Sequence, residues 1–318
     1  MLFKGTVHQQ HDAGLDVPAI SLEAPKYYRI MEGCDMDWKD TEVVLQEIKQ
    51  RTERNAYSLV IDKEKKPELF DSKFGGLPYW DLNMEYPSDS AGKKLMLLAQ
   101  INLERMFQET EREELLPDTG MLQFFIGLDD VFGMDFDEQD VQRNFRVVYH
   151  EKIDYQVTES QIRQLEIPDC TDEEMEEYTP IWKETALKIT RKPVYMGEGD
   201  YHFHKLFHEI GREKFGNQYE DLSMYQLLDE EAYDNLVEEV ANDGHWLLGY
   251  PYFTQTDPRE YEEKYQYYDT LLFQMDSDYG EEEDYIMWGD AGVGNFFINR
   301  EDLKKRDFSK VLYNWDCC

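Results

Sequence analysis

Near the C-terminus, residues 290–298 read DAGVGNFFI; far upstream, residues 118–126 read DTGMLQFFI. Asp118 matches Asp290, Gly120 matches Gly292, and Phe124, Phe125 and Ile126 match Phe296, Phe297 and Ile298. Two further blocks repeat in the same order at almost the same spacing. GLPYW from Gly76 is answered by GYPYF from Gly249, and LLAQIN from Leu97 by LLFQMD from Leu271. A weaker fourth pair sets VVYHE from Val147 against VLYNW from Val311. Ordered blocks at a nearly fixed spacing signal an internal duplication, so the fold must accommodate two copies of one plan.

Each copy reads as β-structure. Gly-x-Pro-Tyr is a turn leading into an aromatic strand, because proline fixes φ and cannot donate to a ladder. Residues 95–101 and 270–275 are short apolar runs of buried-strand length. In Asp-x-Gly the aspartate can bond the backbone ahead while glycine accepts a positive φ; bulky strand formers follow at 124–126 and 296–298. Helical spacing appears elsewhere: at Val44, Leu45 and Ile48; at Trp182, Ala186 and Ile189; and at Phe203, Leu206, Phe207 and Ile210. A further helix is expected from Ser223, capped with the help of Gln226, with Tyr233, Leu236, Val237 and Val240 on its core face and Gly244 as its stop. The expected fold class is α+β: internally duplicated β-rich halves with mainly antiparallel strands, flanked by helices and a helical acidic insertion. The expected boundaries are an N-terminal helical or extended segment at 1–58, a first β-rich repeat at 59–150, the acidic insertion at 151–244 and a second β-rich repeat at 245–318. All four are expected within one compact domain.

Composition narrows the function classes. The chain has 318 residues, enough for a sizeable core, and 41% of them are hydrophobic. No apolar run approaches the roughly 20 residues of a membrane helix, and the first residues hold no stretch of signal-peptide length, so a cytoplasmic location is expected. With 69 acidic against 33 basic residues the net charge is -36. Such a surface repels phosphate backbones and anionic membranes, which disfavours both nucleic acid and membrane as partners. It suits solubility, a salt-adapted host, or a basic protein partner. Cys34, Cys170, Cys317 and Cys318 lack zinc-like spacing and are too few for a disulfide framework.

The repeated polar set supplies the first candidate site. Gln100 and Gln274 sit at equivalent places inside apolar strands, with Asn102 and Asp276 two residues on and on the same face. A buried amide left unsatisfied costs about 1–3 kcal/mol, so each glutamine is expected either to tie its strand to a loop, such as the Asp118 or Asp290 turn, or to meet its counterpart at a ligand cleft between the halves. The second copy is richer in acids and polar aromatics. His245, Gln255, Arg259, Gln274, Asp276, Trp288 and Asp290, with Gln100 and Asp118 of the first copy, are the candidate ligand-binding residues. No metal and no cofactor is expected. His204 and His208 share a helix face but have no third ligand in the local sequence. Asp278 opens DSDYGEEED, which begins like a calcium loop and then departs from the pattern at Gly280. No nucleophile elbow, P-loop or dinucleotide fingerprint is present.

The motifs FGGLPYW, LLAQINL, LPDTGMLQFFI, LLGYPYFTQTDPR, LLFQMDSD and MWGDAGVGNFFINREDL occur in this order. Through them the chain resembles the YwqG-like family, a bacterial domain family of unknown function. The resemblance implies a cytoplasmic protein of duplicated α+β organisation and supplies no reaction, substrate or cofactor. The acidic stretch before His245 looks like an elaboration beyond the family's motifs. The function expected from the residues is a non-catalytic protein-binding module with an acidic face for a basic protein, of which an immunity-like, toxin-neutralising role is one form. The alternative is an enzyme or a small-ligand or metal-binding protein with its site between the repeats, using Asp276, Asp290 or His245.

Overall fold

The computed structural model describes residues 36–170, 178–216, 223–279 and 284–317. Cys34, Cys318, residues 1–35 of the expected N-terminal segment and residues 280–283 of the acidic DSDYGEEED stretch lie outside the described residues. Helix α1 (Trp38–Thr52) starts where the Asp37 carboxylate accepts the Asp40 N–H at 2.8 Å, and it buries Val44, Leu45 and Ile48 as their spacing predicts. The first half continues with β1 (Arg54–Asp62), β2 (Lys73–Phe74), β3 (Met96–Asn102), α2 (Leu103–Glu109), β4 (Met121–Ile126), β5 (Phe145–His150) and α3 (Glu159–Arg163). The second half begins at β6 (Thr185–Val194) and runs through α4 (Phe203–Phe215), α5 (Met224–Leu227), α6 (Glu230–Glu239), β7 (His245–Leu247), α7 (Pro258–Tyr261) and β8 (Thr270–Asp276). The chain then forms the hairpin β9 (Asp278–Tyr279) and β10 (Asp284–Ile286), followed by β11 (Val293–Ile298), α8 (Arg300–Lys304) and β12 (Leu312–Asp316). No helix among the described residues is long and apolar enough to cross a membrane.

Ten strands share one antiparallel sheet in the order β12-β11-β8-β7-β1-β6-β2-β3-β4-β5. The order has a centre. β1 and β6 pair along the whole of β1, from Arg54 opposite Val194 to Asp62 opposite Ala186. Exchanging the two strands carries the pair Ser58–Thr190 onto Ala186–Asp62 and the pair Val60–Lys188 onto itself. On the flanks, Ser58 faces Trp246 of β7 as Ala186 faces Lys73 of β2. A pseudo-twofold axis therefore passes through Val60 and Lys188, and the first strand of each half lies beside the second strand of the other.

The sheet folds so that the two halves face one another through aromatic rings. Phe124 of β4 stacks on Phe273 of β8 with centroids 4.5 Å apart and meets Phe296 of β11 at 5.2 Å. Phe145 of β5 and Tyr313 of β12, from opposite ends of the strand order, stand 5.1 Å apart. Burying each such ring is worth about 1.5–3 kcal/mol, and offset or edge-on geometry adds to it. The facing surfaces of the two halves are packed core, so Gln100 and Gln274 do not meet there at a ligand cleft. A separate apolar cluster unites α1, α4, α5 and α6.

Three local readings need correction. Trp182, Ala186 and Ile189 do not lie on a helix: residues 185–194 form β6, in the middle of the sheet, so the 151–244 stretch is helical only in parts. The helix expected from Ser223 is broken in two. Gln226 accepts the Ser223 N–H at 3.0 Å to start α5, but Leu228 is extended and Asp229 caps a second helix, α6. Finally, register shifts the fourth sequence pair by two residues: His150 lies opposite Met121 as Asp316 lies opposite Val293. The two matched glycines report the same correspondence. A Cβ on Gly120 would stand 2.3 Å from the His150 carbonyl oxygen, and one on Gly292 would stand 1.9 Å from that of Asp316.

His150 packs edge-on against Trp80 and Tyr79, and its Nε2 bonds the Gln123 side-chain oxygen at 2.9 Å. Burial pushes this imidazole from the usual 6.5 down to about 4. The unfolded chain therefore takes up the proton first, so stability falls as pH drops below about 6.5, and the loss is complete once pH passes below about 4. The pKa difference corresponds to about 3 kcal/mol. His150→Gln should remove this acid-dependent loss, so that urea unfolding at neutral and acidic pH shows the variant gaining on the wild type as pH falls. A gap independent of pH would show that His150 is not buried in its neutral form.

Candidate functional site

The two repeated glutamines are clamps. The Gln100 side-chain oxygen accepts the Tyr79 N–H at 2.8 Å and the Gln123 amide at 2.9 Å, while its NH2 donates to the carbonyls of Leu69 and Asp71, both at 2.9 Å. The Gln274 oxygen accepts the Tyr252 N–H at 2.8 Å, and its NH2 donates to the carbonyls of Asn242 and Gly244, both at 2.8 Å. Gln123 and Asn295 then return bonds to the carbonyls of Tyr79 and Tyr252. Each clamp fastens its own Gly-x-Pro-Tyr loop. Neither reaches the Asp118 or Asp290 turn; both aspartates are exposed, and Asp118 pairs with Arg306 at 3.2 Å.

Two residues beyond each clamp the copies part. In the first half the Ser72 hydroxyl accepts the Asn102 N–H at 3.0 Å, and Asn102 caps α2. In the second half His245 takes the place of Ser72: its Nδ1 accepts the Asp276 N–H at 3.0 Å. Asp276 starts no helix and leads instead into the β9–β10 hairpin. Beside this hairpin a cleft of about 490 Å3 opens, walled by Asp243, His245, Trp246, Tyr252, Asp276, Asp278, Tyr279 and the β1 residues Ser58, Leu59 and Val60.

The cleft is acidic and aromatic, with no lysine or arginine lining it among the described residues. Burial pushes the Asp276 carboxyl above the usual range, although it accepts the N–H groups of Gly244 at 2.7 Å and Ser277 at 2.8 Å. The neighbouring His245 ring holds Asp278 below that range. His245 Nε2 stands 3.6 Å from the Asp278 carboxylate, so the attraction is electrostatic rather than a direct hydrogen bond. Because Nδ1 is committed to a backbone N–H, the neutral ring carries its proton on Nε2, facing Asp278. Trp246 is held by its indole N–H on the Asp243 carbonyl at 2.8 Å, and the Val60 and Tyr279 side chains are left largely open to solvent.

Of the predicted residues, His245, Asp276 and Asp278 meet here, with Gln274 fixing the loop behind them. The others lie elsewhere. Arg259 is fully buried, forked onto Asp257 at 2.9 and 2.6 Å and stacked on Phe297 at 4.1 Å, an internal anchor rather than a ligand contact. Trp288 is core, packed against Phe132 and Trp315. Gln255 is exposed and donates to the Cys317 carbonyl at 2.6 Å. His204 and His208 flank the buried stripe of α4, half-exposed. No group of three His, Cys, Asp or Glu among the described residues is placed to hold a metal. Cys170 and Cys317 are free thiols, and burial pushes the Cys170 thiol up to about 12, away from nucleophilic chemistry.

Sequence reasoning missed Asp243, Trp246, Tyr252, Tyr279 and Val60 as cleft walls. A signal was available in the copies themselves, where Asn102 gives way to Asp276 at a position the fold satisfies with either.

A family model described as Domain of unknown function (DUF1963) matches residues 72–317, from the start of β2 through β12. None of the curated proteins matches the chain.

Removing the His245 acceptor should strand the Asp276 N–H. His245→Phe is expected to lose about 1–3 kcal/mol in urea unfolding, whereas His245→Asn, which keeps an acceptor on a short side chain, should lose less. A larger loss in His245→Asn than in His245→Phe would mean that ring packing against Phe74, 4.9 Å away, outweighs the hydrogen bond.

Proposed function

This chain belongs to the DUF1963 family, and we propose that it is a non-catalytic cytoplasmic binding protein whose acidic, aromatic cleft receives a cationic group of a basic protein. The observation that carries the reading is the wall of that cleft. Asp243, Asp276 and Asp278 stand with Trp246, Tyr252 and Tyr279, and no lysine or arginine lines it among the described residues. A lysine or arginine side chain entering there meets carboxylates and aromatic faces at once, and desolvation strengthens both attractions. The field of a chain with net charge -36 steers a basic partner toward the surface before contact. Neutralising a basic toxin, an immunity-like role, is one biological form of such binding.

A second reading has its own support. Asp276 is pushed up and Asp278 held down within one cleft, and two carboxyls driven apart in this way are the usual arrangement for acid–base catalysis. An enzyme acting on a small cationic substrate would use Asp276 as the proton donor and Asp278 as the charged partner.

The deciding test immobilises the wild type and the Asp278→Asn and Asp276→Asn variants against lysate of the source organism at low and moderate salt. Binding through this cleft should recover one basic protein in stoichiometric amount, release it in moderate salt and lose it in Asp278→Asn. Retention of the same partner by both variants, or binding indifferent to salt, would remove the cleft from the interaction. No partner, together with a small-amine thermal shift that Asp276→Asn abolishes, would favour the enzyme.

A further inference from the structure

A second cleft, of about 460 Å3, opens where the end of α1 and the start of β1 meet residues 248–250 and the first residue of α8. Its defining feature is a guanidinium laid on a ring. The Arg54 guanidinium carbon lies 3.6 Å from the centroid of Tyr250. Tyr250 is itself fixed, donating its hydroxyl to the Thr52 carbonyl at 2.8 Å. Arg54 donates Nη1 to the Gly249 carbonyl at 3.4 Å and interacts with the side chain of Tyr250 on which it lies, and it makes no salt bridge to a carboxylate among the described residues. Arg300 also lines this cleft, exposed, with the neighbouring Glu301 within electrostatic reach but no salt bridge among the described residues. Of the acids on the wall, Glu113 is engaged by Arg191 at 2.6 Å, and Glu53 and Glu114 are exposed.

The internal twofold supplies a control. Extending the β1–β6 correspondence, Arg54 matches Trp182; extending that of the Gly-x-Pro-Tyr loops, Tyr250 matches Leu77. At this position the first half therefore has no guanidinium–ring pair. The cavity beside Leu77 there is only about 60 Å3 and holds the buried Lys73, already paired with Glu184 at 2.8 Å. Among the described residues the fold is completed at this place without a guanidinium stacked on a ring, so the stacked Arg54 is not a requirement of the architecture.

We infer that the Arg54 cleft binds a small oxyanion, a carboxylate or phosphate group. Stacking fixes the guanidinium plane and leaves most of its donors free, and a planar fork of N–H donors matches two oxygens of one carboxylate or phosphate. Because Arg54 is already held, little side-chain freedom is lost on binding. Arg300 supplies the second positive charge, which a chain of net charge -36 must provide locally if any anion is to approach.

Isothermal titration of the full chain at constant ionic strength, with inorganic phosphate in one arm and succinate in the other, tests this. Saturable binding of either probe is expected, and the stronger arm identifies the group. Arg54→Gln and Arg300→Gln should each weaken it by about tenfold or more, the cost of one charge-assisted bond. Arg300 is exposed, so its variant separates lost binding from lost folding. Wild-type protein that binds neither probe, or variants that bind as tightly as the wild type, would overturn the assignment.

Discussion

The ladder between β1 and β6 is the constraint on which the molecule depends. It joins two five-stranded halves of the sheet edge to edge, and it is the only place among the described residues where the first half's own strands hydrogen-bond in register with those of the second without involving the short β2 or β7. Each of its hydrogen bonds is worth only about 0.5–1.5 kcal/mol net. Its geometric effect is larger, because a one-residue slip would turn every side chain of β1 and β6 to the opposite face. With the register fixed, Phe124, Phe273 and Phe296 arrive at one another, and the inner faces of both halves become a single core.

On the outer faces the glutamine clamps do comparable work locally. They satisfy buried backbone groups of an irregular loop that has no ladder of its own, which is the general condition for burying such a loop. Both copies keep this device, and both clefts of interest lie where the copies cease to agree. Where Asn102 starts a helix, Asp276 starts a hairpin and an acidic recess appears. Where Leu77 closes a small cavity, Tyr250 carries a stacked arginine. Duplication thus separates what the architecture needs from what one half has added.

Much of the fold was legible in the sequence because the duplicated strands are buried on both faces, so almost every residue is constrained and the copies resist divergence. Gln100 and Gln274 were visible for the same reason: an amide within an apolar run has to be answered. β6 was misread because Trp182, Ala186 and Ile189 satisfy a helical period as readily as an extended one, and the deciding partner, β1, lies far away in the chain. The register of β12 was off by two residues because a shift of two keeps every side chain on its face and leaves the hydrophobic pattern unchanged. The acidic cleft was legible only in part. His245, Asp276 and Asp278 stood out as chemistry, but Val60, Asp243 and Tyr279 reach the same recess from three separate segments that no spacing rule connects.

The crossed placement of β1 and β6 also bears on ancestry. A chain holding one copy of the plan would have had its first strand with no neighbour of its own to lie against, and an exposed second strand waiting beside it. Two such chains related by a twofold axis would have completed each other by trading first strands. Fusing them end to end would convert that intermolecular exchange into the present single polypeptide, and would free one copy to drift while its twin kept the scaffold intact.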